Sequence, residues 1–310
     1  MKTRQFISVV VAVGLLPWTT SNLKAQLTLA GTNYLQTFDN LDSGLPVGWM
    51  VCTNAHATNL GTAVTFATTH TSWSSLPGQF QNCAGTGNAG TNLLGGESST
   101  AQNNFTNRAL AIRQGTGFGD PGAAFILNLT NTSHQAGFQL ELDFLMLSVQ
   151  SRSTAWSVDY ATGSNPTNFT AVASYEDPGV FGTTHASIAF ATALDNRASN
   201  VWIRIVALTG STGSNYRDTF GIDNFSLSWT NLPSARPFCV SAIAPLNGFI
   251  QIDFAGDPAD VVSYFTLQSA SQASGSFNDT PATITQTSPG NFRAMVAPNG
   301  SQQFYRVKCR

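Results

Sequence analysis

Two acidic residues of one predicted strand have the type and spacing for acid–base chemistry. Apolar and polar residues alternate strictly over Phe138–Phe144, which is typical of a strand with one buried face. Glu141 and Asp143 therefore point outward on the same face. Retaining hydrolysis of a glycosidic bond needs two carboxyl groups about 5–5.5 Å apart, and alternate strand positions can provide this spacing. An ordinary solvated sheet face explains the same pattern.

Aromatic rings in polar loops are a second kind of candidate. Sugar recognition requires rings that are presented to solvent, with amide, carboxyl or guanidinium groups nearby. Trp73 lies in one polar segment, and Tyr216 lies in another beside Arg217 and Asp218. We predict these four residues as the ligand-binding set. Most aromatic residues of a sandwich belong to its core, and we assign three other tryptophans there: Trp49, Trp202 and Trp229.

Several other site types are not indicated. The four histidines have no zinc-binding spacing, so we interpret them as polar loop residues: His56, His70, His134 and His185. Gly115–Gly119 does not have the spacing of a dinucleotide-binding loop. A chain with 14 basic and 16 acidic residues has no basic face for nucleic acid. The sequence leaves open a catalytic serine whose partner residues come from distant loops.

The elements that must position these residues are strands. Short apolar or alternating runs are separated by Gly, Asn, Ser, Thr and Pro, and no amphipathic helix exceeds two turns. We predict an all-β chain with a sandwich over residues 26–230, a linker at 231–237 and a smaller sandwich over 238–310. The strands predicted in the larger domain include 34–38, 63–67, 123–129, 138–144, 156–160, 169–175, 201–208 and 220–229.

The first 25 residues have the three parts of a secretory signal: Lys2 and Arg4, an apolar run over Phe6–Leu16, and a cleavage site ending at Ala25. No later stretch approaches the roughly 18 apolar residues of a membrane span. We therefore expect an exported chain with no membrane span.

Four cysteines, Cys52, Cys83, Cys239 and Cys309, suit disulfides in an exported protein better than a zinc or redox motif. Three pairings are open. The nearest-neighbour pairing, Cys52 with Cys83 and Cys239 with Cys309, would place one bridge in each domain.

Two segments frame the larger domain: 34–40, continuing to Trp49, and 220–228. Together they resemble the opening and closing strands of extracellular jelly-roll modules, including MAM-like and cleaved-adhesin-like domains and carbohydrate-binding modules. The tail, with 264–269 and 304–307, resembles a small fibronectin-type-III-like module, which implies a spacer or attachment unit. The predicted fold is a jelly-roll β-sandwich followed by a smaller immunoglobulin-like or fibronectin-III-like sandwich.

The jelly-roll resemblance implies a structural calcium ion between the first and last strands. The matching residues are Asp39, Asn40, Asp223 and Asn224, whose oxygens, with backbone carbonyls and water, suit a hard cation. The alternative is that Asp39 caps a turn and Asp223 bonds a neighbouring strand end.

The pair of Glu141 and Asp143 resembles part of the acidic motif of laminarinase-like glycosidases. These enzymes carry a third carboxylate on the same strand. Here that position is Leu145 or Met146. The sequence departs from that family at the general acid or base, and we predict no catalytic residue on this strand.

The sequence thus favours a secreted, non-catalytic protein that binds a carbohydrate or another surface or matrix ligand. Two alternatives stay open. One is a polysaccharide hydrolase or lyase that uses the long segment 54–107, and the other is a structural matrix component.

Overall fold

The computed structural model describes residues 26–75, 77–88, 91–232, 239–258, 260–300 and 302–309. The predicted signal segment 1–25 lies outside these residues, as does most of the predicted linker. The chain divides into two compact units, Met1–Leu232 and Pro233–Arg310, and the division falls inside the predicted linker. Throughout the described ranges, no helix combines the length and the apolar character that crossing a membrane requires.

The first unit is a two-sheet β-sandwich of jelly-roll type, as predicted. Strands are numbered in chain order through both units. The seven-stranded sheet contains β1 (Asn33–Gln36), β4 (Phe66–Thr71), β5 (Gln79–Ala84), β8 (Arg108–Arg113), β10 (Gln135–Ser148), β14 (Gly182–Ala189) and β17 (Thr219–Asn231). The six-stranded sheet contains β2 (Trp49–Thr53), β3 (Thr62–Ala63), β9 (Ala124–Leu129), β12 (Trp156–Thr162), β13 (Thr170–Tyr175) and β15 (Val201–Val206).

Short elements join these sheets. They are a 3-10 turn at Leu41–Ser43, the helix α1 (Ser99–Asn104), and the two-stranded pairs β6 (Gly87–Asn88) with β7 (Thr91–Asn92) and β11 (Arg152–Ser153) with β16 (Thr212–Gly213).

Aromatic rings fill the space between the two sheets. Trp156 of the six-stranded sheet stacks on Phe220 of the seven-stranded sheet, with ring centroids 4.1 Å apart and planes 12° from parallel. Phe125 lies 5.6 Å from the same tryptophan. The three tryptophans predicted for the core, Trp49, Trp202 and Trp229, are all buried. Trp202 packs with Met50 and Ile126 on the outer side of the six-stranded sheet. The burial of the other rings between the sheets removes a large apolar area from water and holds the sheets together.

The longest strand pair in the first unit is β10 with β17. Its pleat sends Leu140, Leu142 and Phe144 into the core, and it turns Glu141 and Asp143 to the outer face. Between the partners of these two acids the register shifts, and Asn224 of β17 has a left-handed φ of 48°. An inserted residue of this kind bends a strand and re-aims its side chains.

The segment 54–107 is not a loop throughout, because β3, β4, β5 and α1 lie within it. The buried Arg108 holds it to the sheet. Its Nε donates to Asn82 Oδ1 at 2.8 Å, and its Nη1 donates to the carbonyl oxygen of Gln102 at 2.9 Å. A guanidinium can satisfy several buried acceptors at once.

The second unit has a four-stranded and a three-stranded sheet around its own core, which contains Phe254, Phe265 and Phe292. The first sheet contains β18 (Cys239–Leu246), β19 (Phe249–Ala255), β22 (Thr283–Ser288) and β23 (Asn291–Val296). The second contains β20 (Phe265–Ala270), β21 (Asn278–Asp279) and β24 (Phe304–Cys309). The fibronectin-III-like assignment stays a prediction.

The predicted bridge between Cys52 and Cys83 is wrong. Cys52 lies in β2 and packs on the outer side of the six-stranded sheet with Met50 and Ile126. Cys83 lies in β5, on the outer side of the seven-stranded sheet. The packed sheets separate the two cysteines by more than the roughly 7 Å that a disulfide tolerates between Cα atoms.

None of the described thiols, those of Cys52, Cys83 and Cys309, is in a disulfide. The side chain of Cys239 lies outside the described part of the chain, so its pairing with Cys309 stays a prediction.

We predict that Cys83 resists alkylation in the folded protein. Its thiol is buried, and burial raises its pKa to about 12, so almost no thiolate forms at pH 8. Iodoacetamide at pH 8, followed by peptide mass spectrometry, should modify Cys83 in urea but not in buffer. A peptide containing Cys52 linked to Cys83 in a non-reducing digest would contradict this account.

Candidate functional site

Trp73 does not present its ring to solvent, contrary to the sequence prediction. The side chain is 3% exposed, its indole N–H donates to the carbonyl oxygen of Ala84 at 2.8 Å, and its ring lies 4.8 Å from that of Phe181. It belongs to a second apolar layer on the outer side of the seven-stranded sheet, with Leu145 and Leu147. The local sequence is polar, but tertiary packing buries the ring.

Tyr216 is exposed, as predicted. Its side chain is 64% exposed, and the guanidinium carbon of Arg113 lies 5.3 Å from the ring centroid, a cation–π contact. The backbone around it is fixed, because Tyr216 O accepts a bond from Arg152 N at 3.2 Å and Asp218 N donates to Arg152 O at 3.1 Å. The Tyr216 ring therefore has a fixed position, with Arg113 near one of its faces.

Arg217 does not point to a ligand. Its Nε forms an ion pair with Asp120 Oδ2, and Arg152 contacts the same oxygen at 3.5 Å. Asp120 also accepts bonds from the backbone and the hydroxyl of Ser211. Burial acts to raise the pKa of Asp120, but the bonds from Ser211 and Arg217 lower it below its usual value. The predicted ligand role of Arg217 is replaced by a structural role.

Asp218 lies two residues after Tyr216 in the chain and is only 8% exposed. One carboxyl oxygen accepts the backbone N–H of Gln150, and the other is buried and meets no donor. The carboxyl of Asp177 faces it. Burial, together with this second acid, raises the pKa of Asp218 to about 7.

The hydroxyl of Tyr175 completes this group. The residue is 6% exposed. Burial raises the pKa of its hydroxyl, a hydrogen bond with Thr184 lowers it, and the charges of Asp177 and Asp218 raise it further. We call Arg113, Tyr175, Asp177, Tyr216 and Asp218 the Tyr216 site. An exposed aromatic ring can pack against the apolar face of a ligand.

The residues predicted for calcium are partly assembled. Asp223 is 2% exposed, and the charges of Asp39 and Asp143 act on it. Asn224 donates its backbone N–H to Asp223 at 2.7 Å and its amide N–H to Asp143 at 2.8 Å. Asn40 is exposed and precedes the 3-10 turn. We call Asp39, Asp143 and Asp223 the carboxylate cluster.

The surroundings of Asp223 bear on the calcium prediction. Burial, and then the charges of Asp39 and Asp143, raise the pKa of Asp223 to about 8. Ionising the Asp223 carboxyl in this position therefore costs free energy, and a bound cation would reduce this cost. A Cβ at Gly85 would lie 3.2 Å from Asp223 Oδ2 and 2.9 Å from the amide nitrogen of Asn107, so a side chain there would displace the Asn107 amide. The donors of the carboxylate cluster are oxygens, which suit calcium. Within the described ranges, however, no group of three or more His, Cys, Asp or Glu side chains converges as a metal cluster.

His185 was missed by the sequence interpretation, which placed all four histidines in loops. It lies in β14 opposite Asp143, and its ring nitrogens contact Asp143 Oδ1 at 2.7 Å and Glu141 Oε2 at 2.8 Å. Ser187 donates to the other oxygen of Glu141 at 2.7 Å. Bonds to Asp143 and Glu141 raise the pKa of His185. The outward alternation of Thr183, His185 and Ser187 was the signal that could have revealed this strand.

We predict that calcium-free protein loses stability as the pH rises from 5 to 8.5. The pKa values of Asp218 and Asp223 are raised on folding. Their contribution to the free energy of unfolding is therefore complete below about pH 4, and it is lost as the pH rises through 7 to 8. Each group contributes at most about 1.4 kcal/mol per pH unit. Urea unfolding in EDTA at several pH values should show a smaller slope for Asp223→Asn.

The matched control for this measurement is Asp42→Asn, which removes an exposed acid in the 3-10 turn and should leave the slope unchanged. An equal slope for wild type and Asp223→Asn would contradict the prediction.

Comparison with known proteins finds distant matches among solved structures. No protein family and no curated protein matches the sequence. Similar solved structures include a Stig cyclase from Fischerella sp. TAU, with 12% identity over 64% of this chain and 90% of that chain and a TM-score of 0.36. Another is the K1 cleaved adhesin domain of Lys-gingipain from Porphyromonas gingivalis W83 (14% identity, 64% and 98% coverage, TM-score 0.34). A third is a family 22 carbohydrate-binding module of Clostridium thermocellum Xyn10B (10% identity, 64% and 94% coverage, TM-score 0.33). At these values nothing about the ligand of this chain follows from the likeness.

Proposed function

We propose that this chain is an exported carbohydrate-binding protein whose first unit holds the ligand at the Tyr216 site. The observation that carries the proposal is the exposure of Tyr216. Within the described part of the first unit, the other tyrosines and all tryptophans are buried or half-buried, whereas this ring is 64% exposed. An exposed ring in a fixed loop loses little side-chain entropy when it stacks on a ligand.

The groups around the ring match the surface of a sugar. A pyranose has an apolar C–H face, which packs on an aromatic ring, and hydroxyls at its edge, which need donors and acceptors. In this proposal the half-buried carboxyl of Asp177 supplies such a group. The second unit, in this proposal, spaces or attaches the first.

Glu141 and Asp143 do not enter the proposed function as a catalytic pair. Both carboxyl groups contact the ring of His185, and Asp143 also accepts the amide of Asn224. These contacts give both acids a role in tying β14 to β10 and β17.

We further propose a structural calcium ion at the carboxylate cluster. Asp39 and Asp223 would provide its carboxylate oxygens, with Asn40 and Asn224 as the further residues that the sequence predicted. The ion would supply positive charge where burial makes the ionised form of Asp223 costly.

We predict that Tyr216→Ala weakens polysaccharide binding about tenfold or more, because the loss of an aromatic anchor costs roughly 2 kcal/mol. Affinity electrophoresis of residues 26–310 in gels that contain neutral polysaccharides measures this change. Tyr264→Ala is the matched control, since Tyr264 is an exposed tyrosine of the second unit. Equal retardation of wild type and Tyr216→Ala would contradict the proposed site.

We predict that calcium raises the melting temperature by about 5–10 °C at 100 times its Kd, the shift expected for about 2.7 kcal/mol of binding energy. Asp223→Asn should abolish most of the shift, while Asp42→Asn should retain it. Calorimetric melts in calcium chloride and in EDTA that coincide for the wild type would refute the calcium proposal.

A further inference from the structure

The two sheets of the second unit contain different numbers of strands. The larger sheet has the order β18, β19, β23, β22, and the smaller sheet has the order β21, β20, β24. Among the described residues, β18 therefore pairs only with β19, and β24 pairs only with β20. The second edge of a terminal strand carries backbone N–H and C=O groups that can pair with a further strand.

The inner face of β18 is open to solvent. Val240 and Ile243 stand opposite Phe254 and Ile252 of β19, and residues directly opposite each other in an antiparallel pair point to the same side of the sheet. Phe254 and Ile252 belong to the core and are each 1% exposed. Val240 and Ile243, in contrast, are 41% and 57% exposed. The smaller sheet therefore covers β19 and does not extend across β18.

A cavity of about 470 Å³ lies where this cover ends. Its walls include Ile243 of β18, Ile250 of β19 and Tyr305 of β24, and Phe277 contributes from the segment before β21. The described residues that line the cavity carry no charge. We call this cavity, together with the free edge of β24, the β24 groove.

The dimensions of β-structure match this groove to one added strand. A strand that pairs with the free edge of β24 lies about 4.8 Å from it, and packed sheets lie about 10 Å apart. Such a strand would extend the smaller sheet across β18, and its inward side chains would enter the cavity and cover Ile243. Extended peptides bind to open sheet edges in this way, with backbone bonds for affinity and side-chain pockets for specificity.

The outer face of β24 is positively charged. Tyr305 and Val307 pack against the core, so the alternation of the strand turns Arg306 and Lys308 outward, and both are exposed. Arg306 Nε donates to the neutral amide oxygen of Gln268 at 2.7 Å. In the part of the chain that the structure describes, neither cation lies within ion-pair distance of a carboxylate.

This charge indicates which kind of strand fits the groove. Outward residues of an added strand would lie about 4.5–5.5 Å from Arg306 and Lys308, measured between Cβ atoms. Carboxylates at these positions would pair with both cations, whereas a second copy of β24 would add two further cations to the same face. Like charges directly opposite each other destabilise a strand pair. The free edge therefore favours an acidic strand over a second copy of itself.

We propose that the β24 groove binds an extended acidic segment of another protein by strand addition. In that segment, apolar residues that enter the cavity alternate with acidic residues that pair with Arg306 and Lys308. The residues of this site all belong to the second unit, so the proposal does not depend on the ligand of the Tyr216 site. It gives the second unit an attachment role of its own.

The probe is a capped, dye-labelled octapeptide in which valine alternates with glutamate. Two control peptides have lysine in place of every glutamate, or proline in place of the two central valines, which removes backbone N–H donors. Fluorescence anisotropy with residues 26–310 in about 50 mM salt measures binding, since high salt would screen the charges. We expect saturable binding of the glutamate peptide, and binding about tenfold or more weaker for both controls.

Hydrogen exchange measured by mass spectrometry locates the bound peptide. An added strand pairs the free backbone groups of β24, so exchange over residues 304–309 should slow about tenfold when the glutamate peptide is present. The matched control is the edge strand β22, whose exchange over residues 283–288 should not change.

Charge reversal on β24 tests the acidic preference. Lys308→Glu should weaken binding of the glutamate peptide about three- to fivefold and strengthen binding of the lysine peptide by a similar factor. Thr283→Glu is the matched control, because it adds a negative charge on the exposed side of β22, and it should bind both peptides like the wild type.

A polar residue in the groove tests the apolar contact. Ile243→Asn should weaken binding of the glutamate peptide about fivefold or more, because less apolar surface is buried. Val261→Asn is the matched control, since Val261 is 47% exposed and is not among the residues that line the cavity. Both substituted positions are exposed, so both variants should fold, and urea unfolding checks this.

The outcomes decide the proposal. Lack of saturable binding by the glutamate peptide would overturn it. Equal binding of the glutamate and lysine peptides would overturn the acidic occupant, and unchanged exchange over residues 304–309 in the saturated complex would overturn the site. A wild-type dimer in sedimentation equilibrium that Ile243→Asn dissociates would assign the groove to a second copy instead. None of these outcomes bears on the function proposed for the first unit.

Discussion

The pairing of β10 with β17 is the constraint on which the rest of the first unit depends. These strands extend over 14 and 13 residues and lie at the centre of the seven-stranded sheet. Their alternation places one set of side chains in the aromatic core and the other on the outer face. Asp218 lies directly before the start of β17, and Asp223 lies at its bulge, so one strand positions both the Tyr216 site and the carboxylate cluster. The core therefore fixes the spacing of the two sites.

Buried charge in this unit is mostly matched within the protein, and this is why the unmatched groups are informative. Arg204 forms a two-bond pair with Asp159, at 2.8 and 2.6 Å, while Arg108 and Arg113 bond mainly to carbonyl and amide oxygens. Leaving a charge buried and unpaired would cost several kcal/mol. Against this background, one carboxyl oxygen of Asp218 is buried without a hydrogen-bond partner, and the burial of Asp223 beside the charges of Asp39 and Asp143 makes its ionised form costly. Asp223 is the residue at which we propose a cation.

Strict alternation in 138–144 was sufficient to predict β10 and its two faces, and the residues from Phe220 to Trp229 predicted most of β17. The sequence did not predict β5, in which the polar Gln81 and Asn82 are both buried, or β14, whose residues are mostly small or polar. Trp73 and Tyr216 have similar polar neighbours in the chain, yet one is buried by Phe181 and the other is exposed; local composition cannot distinguish these cases. The wrong Cys52–Cys83 pairing has the same origin, since nearness in sequence does not show that two strands belong to different sheets. Arg217 was misassigned because its partner, Asp120, lies 97 positions away.

The central claim is that Tyr216 contacts a sugar, and nuclear magnetic resonance of ring-labelled tyrosine tests it most directly. The chain has six tyrosines, so the spectrum is simple, and Tyr216→Phe assigns the signal in question. A neutral oligosaccharide from the polymer that is bound best should shift the Tyr216 ring signal in a saturable manner, with the ring signal of Tyr264 unchanged. Saturable binding that leaves the Tyr216 signal in place would contradict the account.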